Sequence, residues 1–208
     1  MLDGRARVIG LLPQANIKRS AKMNMPEDLK TRGEIDAWAA RYKIPDIEKG
    51  LTSRLKNSSD PITKNDLCDI VRWHSSRILW RAEKNRDEDV ILTSRRAFES
   101  DSDVGRVEIL SDLQGVGWSV ASAVLHLAHA DDYPIFSKYS ALAVNAPYRY
   151  NGEPWRQYVA LCRKTAQEHD ISMRTLDRGT DHLWLLQIQR RIALSLRRTS
   201  GGGGVVTV

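Results

Sequence analysis

The chain is poor in the features from which cross-links, metal clusters and membrane spans are built. Its 208 residues include two cysteines, Cys68 and Cys162, each in an apolar helical pattern that predicts buried free thiols in a reducing compartment. No apolar run reaches the roughly 18–20 residues that a membrane span needs, and no signal peptide is evident. We therefore expect a cytoplasmic protein without a membrane partner. No segment alternates apolar and polar residues as a half-buried strand does, so we expect helices throughout.

The remaining composition predicts one helical domain with a basic surface. The formal net charge is +6, and such an excess attracts polyphosphates, although many proteins carry it without such a partner. We divide the chain into an N-terminal arm (1–25), a helical domain (26–199) and a glycine-rich tail (200–208). Within the domain, apolar spacing and capping residues predict helices at 26–42, 45–55, 63–79, 87–100, 105–113, 120–128, 155–169 and 174–197, with a loop at 145–154.

The most informative segment runs from Leu113 to Ser122 and reads LQGVGWSVAS. Apolar residues at helical spacing precede and follow it, so its glycines predict a tight hairpin between two helices. Gly115 and Gly117 can adopt positive φ and, lacking a Cβ, leave backbone amides open to an anion at the start of the second helix. This is the form of a helix-hairpin-helix motif, which holds a DNA phosphate without reading sequence. A plain helical corner with a glycine turn is the alternative.

The residues after the hairpin extend this pattern. Pro134 ends the second helix, Ile135 and Phe136 form a short apolar plug, and Ser137 is a natural N-cap for the next helix. Here the chain resembles the helix-hairpin-helix superfamily of DNA glycosylases, of the endonuclease III and adenine-glycosylase type. The resemblance covers roughly residues 73 to 184. It implies an all-α, two-lobed DNA-glycosylase-like fold that binds duplex DNA and accepts a flipped base in the cleft between the lobes.

Two positions that carry the chemistry in that family differ in this chain. Its lyase members have a lysine two residues after the second hairpin glycine, where this chain has Ser119. Without an amine at this position there is no Schiff base with the sugar. The family's catalytic aspartate corresponds to Ser137, and a serine cannot act as a carboxylate does. Three explanations stay open: an inactivated enzyme, a variant with a relocated acid, or a DNA-binding protein that has lost catalysis.

The resemblance also implies further site residues and partners. Asp177 and Asp132 (with its neighbour Asp131) are the candidates for a relocated acid, and Asp177 could equally be a salt-bridge partner between two arginines. Trp73, His74 and Arg77 interrupt a helical pattern and are candidates for a base pocket. No metal site is expected, and two distant cysteines cannot hold the iron–sulfur cluster of some relatives, although a monovalent or divalent cation could bind at the hairpin. The residues expected to contact DNA are Gln114, Gly115, Val116, Gly117, Trp118, Ser119 and Lys138.

The function expected from this sequence is that of a monofunctional DNA N-glycosylase, or its inactivated form, that removes a damaged or modified base. We expect it to act as a monomer on double-stranded DNA, at the nucleoid if the protein is bacterial. A non-catalytic DNA-binding module that reuses the fold is the first alternative. An α-helical interaction protein without a nucleic-acid partner is the second, and it would follow if the hairpin is only a structural corner.

Ser119 leads to a prediction about reaction class. Borohydride added during incubation with a lesion-containing duplex should trap no covalent protein–DNA adduct, because a hydroxyl cannot form the reducible imine. Electrophoresis of the denatured protein–DNA mixture measures this directly. A trapped adduct that maps to Lys138 would make that lysine the nucleophile and contradict the monofunctional interpretation.

Overall fold

The computed structural model describes residues 23–56, 60–146 and 151–184, and within these ranges every regular element is helical. The all-α prediction is therefore confirmed for the described residues. Their α-helices are α1 (Arg32–Ala39), α2 (Asp46–Leu55), α3 (Lys64–Ser75), α4 (Leu79–Ala82), α5 (Asp87–Glu99), α6 (Asp103–Leu110), α7 (Trp118–Ala128), α8 (Lys138–Ala143), α9 (Gly152–His169) and α10 (173–184, at the edge of the described residues).

The first predicted helix, 26–42, is wrong as a single element. Residues Glu27–Leu29 form a separate 3₁₀ turn, and α1 begins only after Thr31. The Thr31 hydroxyl accepts the backbone N–H of Glu34, and the Glu34 carboxylate accepts the N–H of Thr31. This reciprocal capping box stabilises a new helix start inside the predicted helix.

Other boundaries also differ from the prediction, and α6 runs from Asp103 to Leu110 where 105–113 was expected. The helix expected over 63–79 ends at Ser75, and a 3₁₀ turn (Ser76–Ile78) leads into the short α4. The polar WHSSR run therefore ends the helix, rather than only interrupting its pattern as expected. At the other end of the domain, α9 starts at Gly152, inside the predicted loop, because Asn151 adopts an extended conformation that the helix follows.

One connected apolar cluster forms the core of the described residues. Helix α7 lies at its centre, since each residue from Val120 to Ala128 is buried. Helix α3 packs on α7, α5 packs on α6, and α2 contacts both α3 and α7. The largest fully buried side chains include Trp155, Tyr158 and Phe136, with Tyr158 and Phe136 ring centroids 5.3 Å apart. A division into two lobes stays a prediction.

A polar cluster holds the loop between α7 and α8 in place. The Asp103 carboxylate accepts hydrogen bonds from Arg163 at 2.7 Å and from the Tyr133 hydroxyl at 2.6 Å. Burial alone would raise the pKa of Asp103, but these donors hold the pKa below its usual value. The Trp155 indole N–H donates to the Asp103 backbone carbonyl at 2.8 Å. These contacts fix the loop that carries Ser137 against α6 and α9.

The hairpin between α6 and α7 is held by a close approach of two backbones. Gly115 has φ +78°, and a Cβ at this position would lie 2.9 Å from the Ala82 backbone nitrogen. The Asn85 side chain accepts the Gln114 N–H at 2.8 Å and donates to the carbonyls of Gln114 and Ala82, both at 2.9 Å. The hairpin is therefore docked on the segment that follows α4.

Some predicted segments lie outside the residues that the structure describes. Most of the predicted arm (1–25), the whole tail (200–208) and the end of the last predicted helix (174–197) lie outside the ranges given above. Within those ranges, none of the helices combines the length and the apolar character that crossing a bilayer requires.

Gly115 and Gly33 give a matched test of the hairpin geometry. Gly115→Ala should lower the free energy of unfolding by about 1–3 kcal/mol, because a Cβ meets backbone and the φ of +78° is strained for alanine. Gly33→Ala, in α1 with open space around it, should raise the free energy of unfolding by up to ~1 kcal/mol. Urea unfolding followed by circular dichroism measures both. Equal effects of the two substitutions would contradict the tight approach at Gly115.

Candidate functional site

The hairpin presents unused backbone donors at the start of α7. Gly117 is the N-cap of this helix and has no side-chain cap. In the part of the chain that the structure describes, the N–H groups of Gly117, Trp118 and Ser119 meet no hydrogen-bond acceptor. Gly117 is exposed, and nothing lies within 4 Å of the position that its Cβ would occupy. This helix start can therefore accept an anion.

The turn itself uses two of the hairpin amides, so the predicted phosphate contact of the Val116 amide is corrected, while Gln114 is exposed and its DNA contact stays a prediction. The Gln114 N–H is used by Asn85, as described above, and the Val116 N–H donates to the Leu113 carbonyl at 3.1 Å. The Val116 side chain is 5% exposed and belongs to the core. Neither amide is available to a phosphate, because the turn uses both to hold its own shape. The open donors lie one to three residues later.

A cavity of about 80 Å³ lies close to the hairpin. Its walls come from the segment after α1, from α2, from the end of α3, from the last turn of α7, from the loop before α8 and from α10. The lining residues are Tyr42, Glu48, Trp73, His74, His126, Ile135, Ser137, Asp177, Arg178 and Asp181. The His74 Nε2 atom lies 2.7 Å from the Ser119 Oγ, so one contact joins the cavity wall to the first turn of α7.

Four of the candidate residues converge on this cavity and three do not. Ser137, Asp177, Trp73 and His74 all line it. Arg77 is exposed on the 3₁₀ turn after α3 and does not line this cavity, so its assignment to a base pocket stays a prediction. Asp132 and Lys138 are exposed and are absent from the cavity lining.

Ser137 has a structural role at the start of α8. Its Oγ accepts the Ser140 N–H at 3.0 Å, and the Ser140 Oγ accepts the Ser137 N–H at 2.9 Å. The Ser140 hydroxyl also donates to the Ile135 carbonyl at 2.9 Å, which fixes the apolar plug. The Ser137 hydroxyl is thus engaged by the helix that it caps.

Asp177 brings a carboxylate to the same cavity from α10. Its Oδ1 accepts the Ile135 N–H at 3.1 Å, two residues before Ser137. Burial raises the pKa of Asp177 to about 7, with a further increase from Asp181 and Glu48, while the Ile135 hydrogen bond and Arg174 oppose the rise. Asp177 therefore exchanges a proton near neutral pH, which is unusual for an aspartate.

His126 contributes a neutral imidazole to the wall. Its Nδ1 lies 2.7 Å from the Tyr133 carbonyl, and because a carbonyl only accepts, Nδ1 carries the proton. Burial lowers the pKa of His126 to about 3, and Arg174 lowers it further. The ring therefore stays uncharged, and its Nε2 is an acceptor.

Glu48 anchors a buried ionic cluster at one side of the cavity. It is 2% exposed and accepts hydrogen bonds from the Tyr42 hydroxyl and from Arg178, both at 2.8 Å, with Arg174 at 3.4 Å. Burial and the neighbouring Glu48 carboxylate raise the pKa of Tyr42. The cluster ties α2 to α10 and sets the position of Asp177 between the two arginines.

A basic surface with an exposed aromatic ring lies beside the hairpin. We call it the Trp80 patch; it consists of Arg77, Trp80, Arg81 and Lys84. Trp80 is 53% exposed, and the Lys84 Nζ and Arg81 Cζ lie 4.6 and 5.1 Å from its ring centroid. Within the described residues, no carboxylate forms a salt bridge with the three cations of the patch. The patch adjoins the hairpin because Gly115 packs on Arg81 and Ala82.

Several residues of the cavity and of the Trp80 patch have no local signal in the sequence. Nothing local marks Tyr42, Glu48 or His126 as neighbours, since they come from three separate parts of the chain. The α10 residues have a sequence signal. Arg174 and Arg178 are four residues apart, as are Asp177 and Asp181, and residues at this spacing share one face of a helix. Exposure of Trp80 had no sequence signal beyond the basic residues around it.

The described residues contain no group of three or more histidine, cysteine, aspartate or glutamate side chains that could hold a metal ion. The cation predicted at the hairpin stays a prediction. Comparison of the chain with family models, with curated proteins and with solved structures finds no match. The resemblance to the glycosylase superfamily therefore stays a prediction from the residues.

The raised pKa of Asp177 predicts how stability changes with pH. The folded state binds a proton that the unfolded state releases, so between the ordinary aspartate pKa and about 7 the folded state loses stability as pH rises. Asp177→Asn removes this dependence, and its free energy of unfolding should increase relative to the wild type between pH 5 and pH 8. Denaturant titrations at both pH values measure the difference.

Asp170→Asn is the matched control for this measurement. The Asp170 side chain is 98% exposed, and its left-handed φ of 49° suits asparagine. Its stability difference from the wild type should stay constant over the same pH range. A constant difference for Asp177→Asn as well would show that its carboxyl is an ordinary one.

Proposed function

We propose that this protein binds duplex DNA and removes a damaged or modified base as a monofunctional N-glycosylase. The observation that carries the proposal is the convergence of Ser137, Asp177, Trp73 and His74 on one cavity beside the hairpin. Trp73 and His74 belong to one segment of the sequence, and Ser137 and Asp177 belong to two others. Their proximity supports a single site that combines a phosphate contact with an adjoining recess.

The DNA-binding part of the proposal is supported by two adjacent surfaces. The open N–H groups at the start of α7 suit a phosphate, and the helix dipole adds to the attraction. The Trp80 patch adds three cations and an exposed ring, a combination that suits a nucleic-acid strand. The two surfaces are linked by the hairpin, because Gly115 packs on Arg81 and Ala82.

The base-excision part is supported by the content of the cavity. Trp73 and Tyr42 offer aromatic surface, His126 offers an acceptor nitrogen, and Asp177 offers a carboxyl group that titrates near neutral pH. Excision needs a flipped base to be held and a water molecule to be activated at the sugar. The cavity contains groups of both kinds.

A non-catalytic DNA-binding module is the second candidate, and one observation favours it. The family's acid position is filled by Ser137, whose hydroxyl is committed to capping α8. A protein that kept the fold for binding alone would retain the cap and the hairpin without the acid. The excision experiment below separates the two candidates.

Gly117→Asp tests the hairpin as a DNA contact. The new carboxylate would cap the α7 amides and repel a phosphate, so affinity for a duplex should fall at least tenfold, or about 1.4 kcal/mol. Fluorescence anisotropy at several salt concentrations measures this, and wild-type affinity should fall steeply with salt. Gly33→Asp adds the same side chain at a glycine with open space in α1 and should leave affinity within about twofold. Unchanged affinity of folded Gly117→Asp would exclude the hairpin from the interface.

Excision is tested on end-labelled duplexes that carry a panel of damaged and modified bases. The wild-type protein should produce abasic sites on at least one of them, detected as strand breaks after hot alkali. Cleavage without alkali would indicate lyase activity instead. Tight binding to DNA without excision on any duplex would favour the binding module.

A further inference from the structure

The proposed function leaves one chemical role unassigned, because the cavity needs a carboxylate and Ser137 has none. Ser137 cannot be recruited by a small movement, since its Oγ accepts the Ser140 N–H and caps α8. A neutral hydroxyl also gives little stabilisation to the positive charge that develops on the sugar. The acid must come from another residue.

Asp177 is close to the missing group in space. The Ile135 N–H holds its Oδ1 at 3.1 Å, and Ile135 precedes Ser137 by two residues, so both side chains line the same cavity from adjoining points. No hydrogen-bond partner among the described residues engages the Asp177 Oδ2. One oxygen is therefore fixed by the backbone, and the other is available at the cavity wall.

The competing acids are less suitable. Glu48 is fully engaged by Tyr42, Arg174 and Arg178. Asp181 also lines the cavity, one turn further along α10, and it has interactions of its own. Asp132 is exposed and lies outside the lining.

We infer that Asp177 is the catalytic carboxylate of this cavity, supplied by α10 in place of the family's aspartate at position 137. The inference rests on the proposed function and names the residue that would perform its chemical step. The position of the carboxylate differs from the one that the sequence resemblance implies. The experiment must therefore distinguish failure of the Asp177 role from failure of the proposed excision activity.

The reaction step can be written with all atoms accounted for. The bond between the sugar C1′ and the base nitrogen breaks, and its electron pair leaves with the base. A water oxygen forms the new bond to C1′, and the ionised Asp177 takes the proton that this water releases. That proton then passes to the departed base or to solvent. The products are a free base and an abasic sugar, and no oxidant or reductant is needed.

The pH dependence follows from the groups around Asp177. Asp181 from α10 and Glu48 from α2 disfavour its ionised form, and Arg174 from α10 and the Ile135 N–H from the loop favour it. Arg178, Tyr42, His74 and His126 are the other titratable side chains of the lining, and Tyr158 and Cys162 from α9 also interact electrostatically with Asp177. Because the ionised carboxylate accepts the proton, single-turnover excision should rise about tenfold per pH unit below pH 7 and level off above it.

Single-turnover excision by five proteins tests the inference: the wild type, Asp177→Asn, Asp132→Asn, Ser137→Asp and the double variant Ser137→Asp/Asp177→Asn. Relative to wild type, Asp177→Asn should lower the rate at least 100-fold at pH 7.5, which is typical for loss of an acid–base group. Asp132→Asn is the matched control and should stay within about threefold. In the double variant Ser137→Asp/Asp177→Asn, aspartate also caps α8, and the restored carboxylate should recover activity without the break near pH 7.

An independent readout does not need activity. The carboxylic acid C=O stretch of Asp177 should be present at pH 5.5, fade through about pH 7 and be missing from Asp177→Asn in infrared difference spectra. Its absence at pH 5.5 in the wild type would count against the inference.

The outcomes separate the inference from the proposed function. Wild-type excision with an unchanged Asp177→Asn rate overturns the role of Asp177 and leaves the function intact. A wild type that excises nothing, beside an active Ser137→Asp protein, assigns the acid to position 137 and overturns the inference. If neither protein excises any base while both bind DNA, both the excision activity and the role of Asp177 are rejected.

Discussion

The close approach of Gly115 to the backbone of Arg81 and Ala82 is the constraint on which the rest of the site depends. Only a residue without a Cβ fits there, and the positive φ turns the chain from α6 into α7. Asn85 then fixes the turn by pairing with Gln114. Because the segment before Ala82 also carries Trp73 and His74, this single contact sets the distance between the hairpin and the cavity wall.

The electrostatics of the cavity follow from burying charges in pairs. Two arginines on α10 neutralise Glu48, and burial with the Asp181 and Glu48 carboxylates raises the pKa of Asp177 against the opposing Arg174. Its raised pKa is therefore a product of the same packing that joins α2 to α10. A site of this kind needs no metal to hold a group that titrates near neutral pH.

Turns and helix caps could be predicted from the sequence better than the cavity, which is built from distant segments. The hairpin, the Ser137 cap and the Pro45–Leu55 helix follow from nearby residues, because glycine turns and capping residues act over a few positions. The split at Thr31 and the end of α3 at Ser75 were missed, since competing caps decide such boundaries. The cavity could be predicted only in part, because its walls come from six parts of the chain that no spacing rule connects. Arg77 is close to Trp73 and His74 in the sequence, but sequence proximity does not determine which side chains line the cavity. Trp73 and His74 line it, and Arg77 is exposed.

The N-cap position of α8 accepts either serine or aspartate. Serine and aspartate stabilise a helix about equally well as the N-cap residue, and either side chain at position 137 would accept the Ser140 N–H. A chain can therefore trade one for the other here while the helix start, the apolar plug and the core stay as they are. The fold places no selective pressure on the chemistry at this position, so proteins that share this architecture can differ in reactivity while their backbones remain indistinguishable.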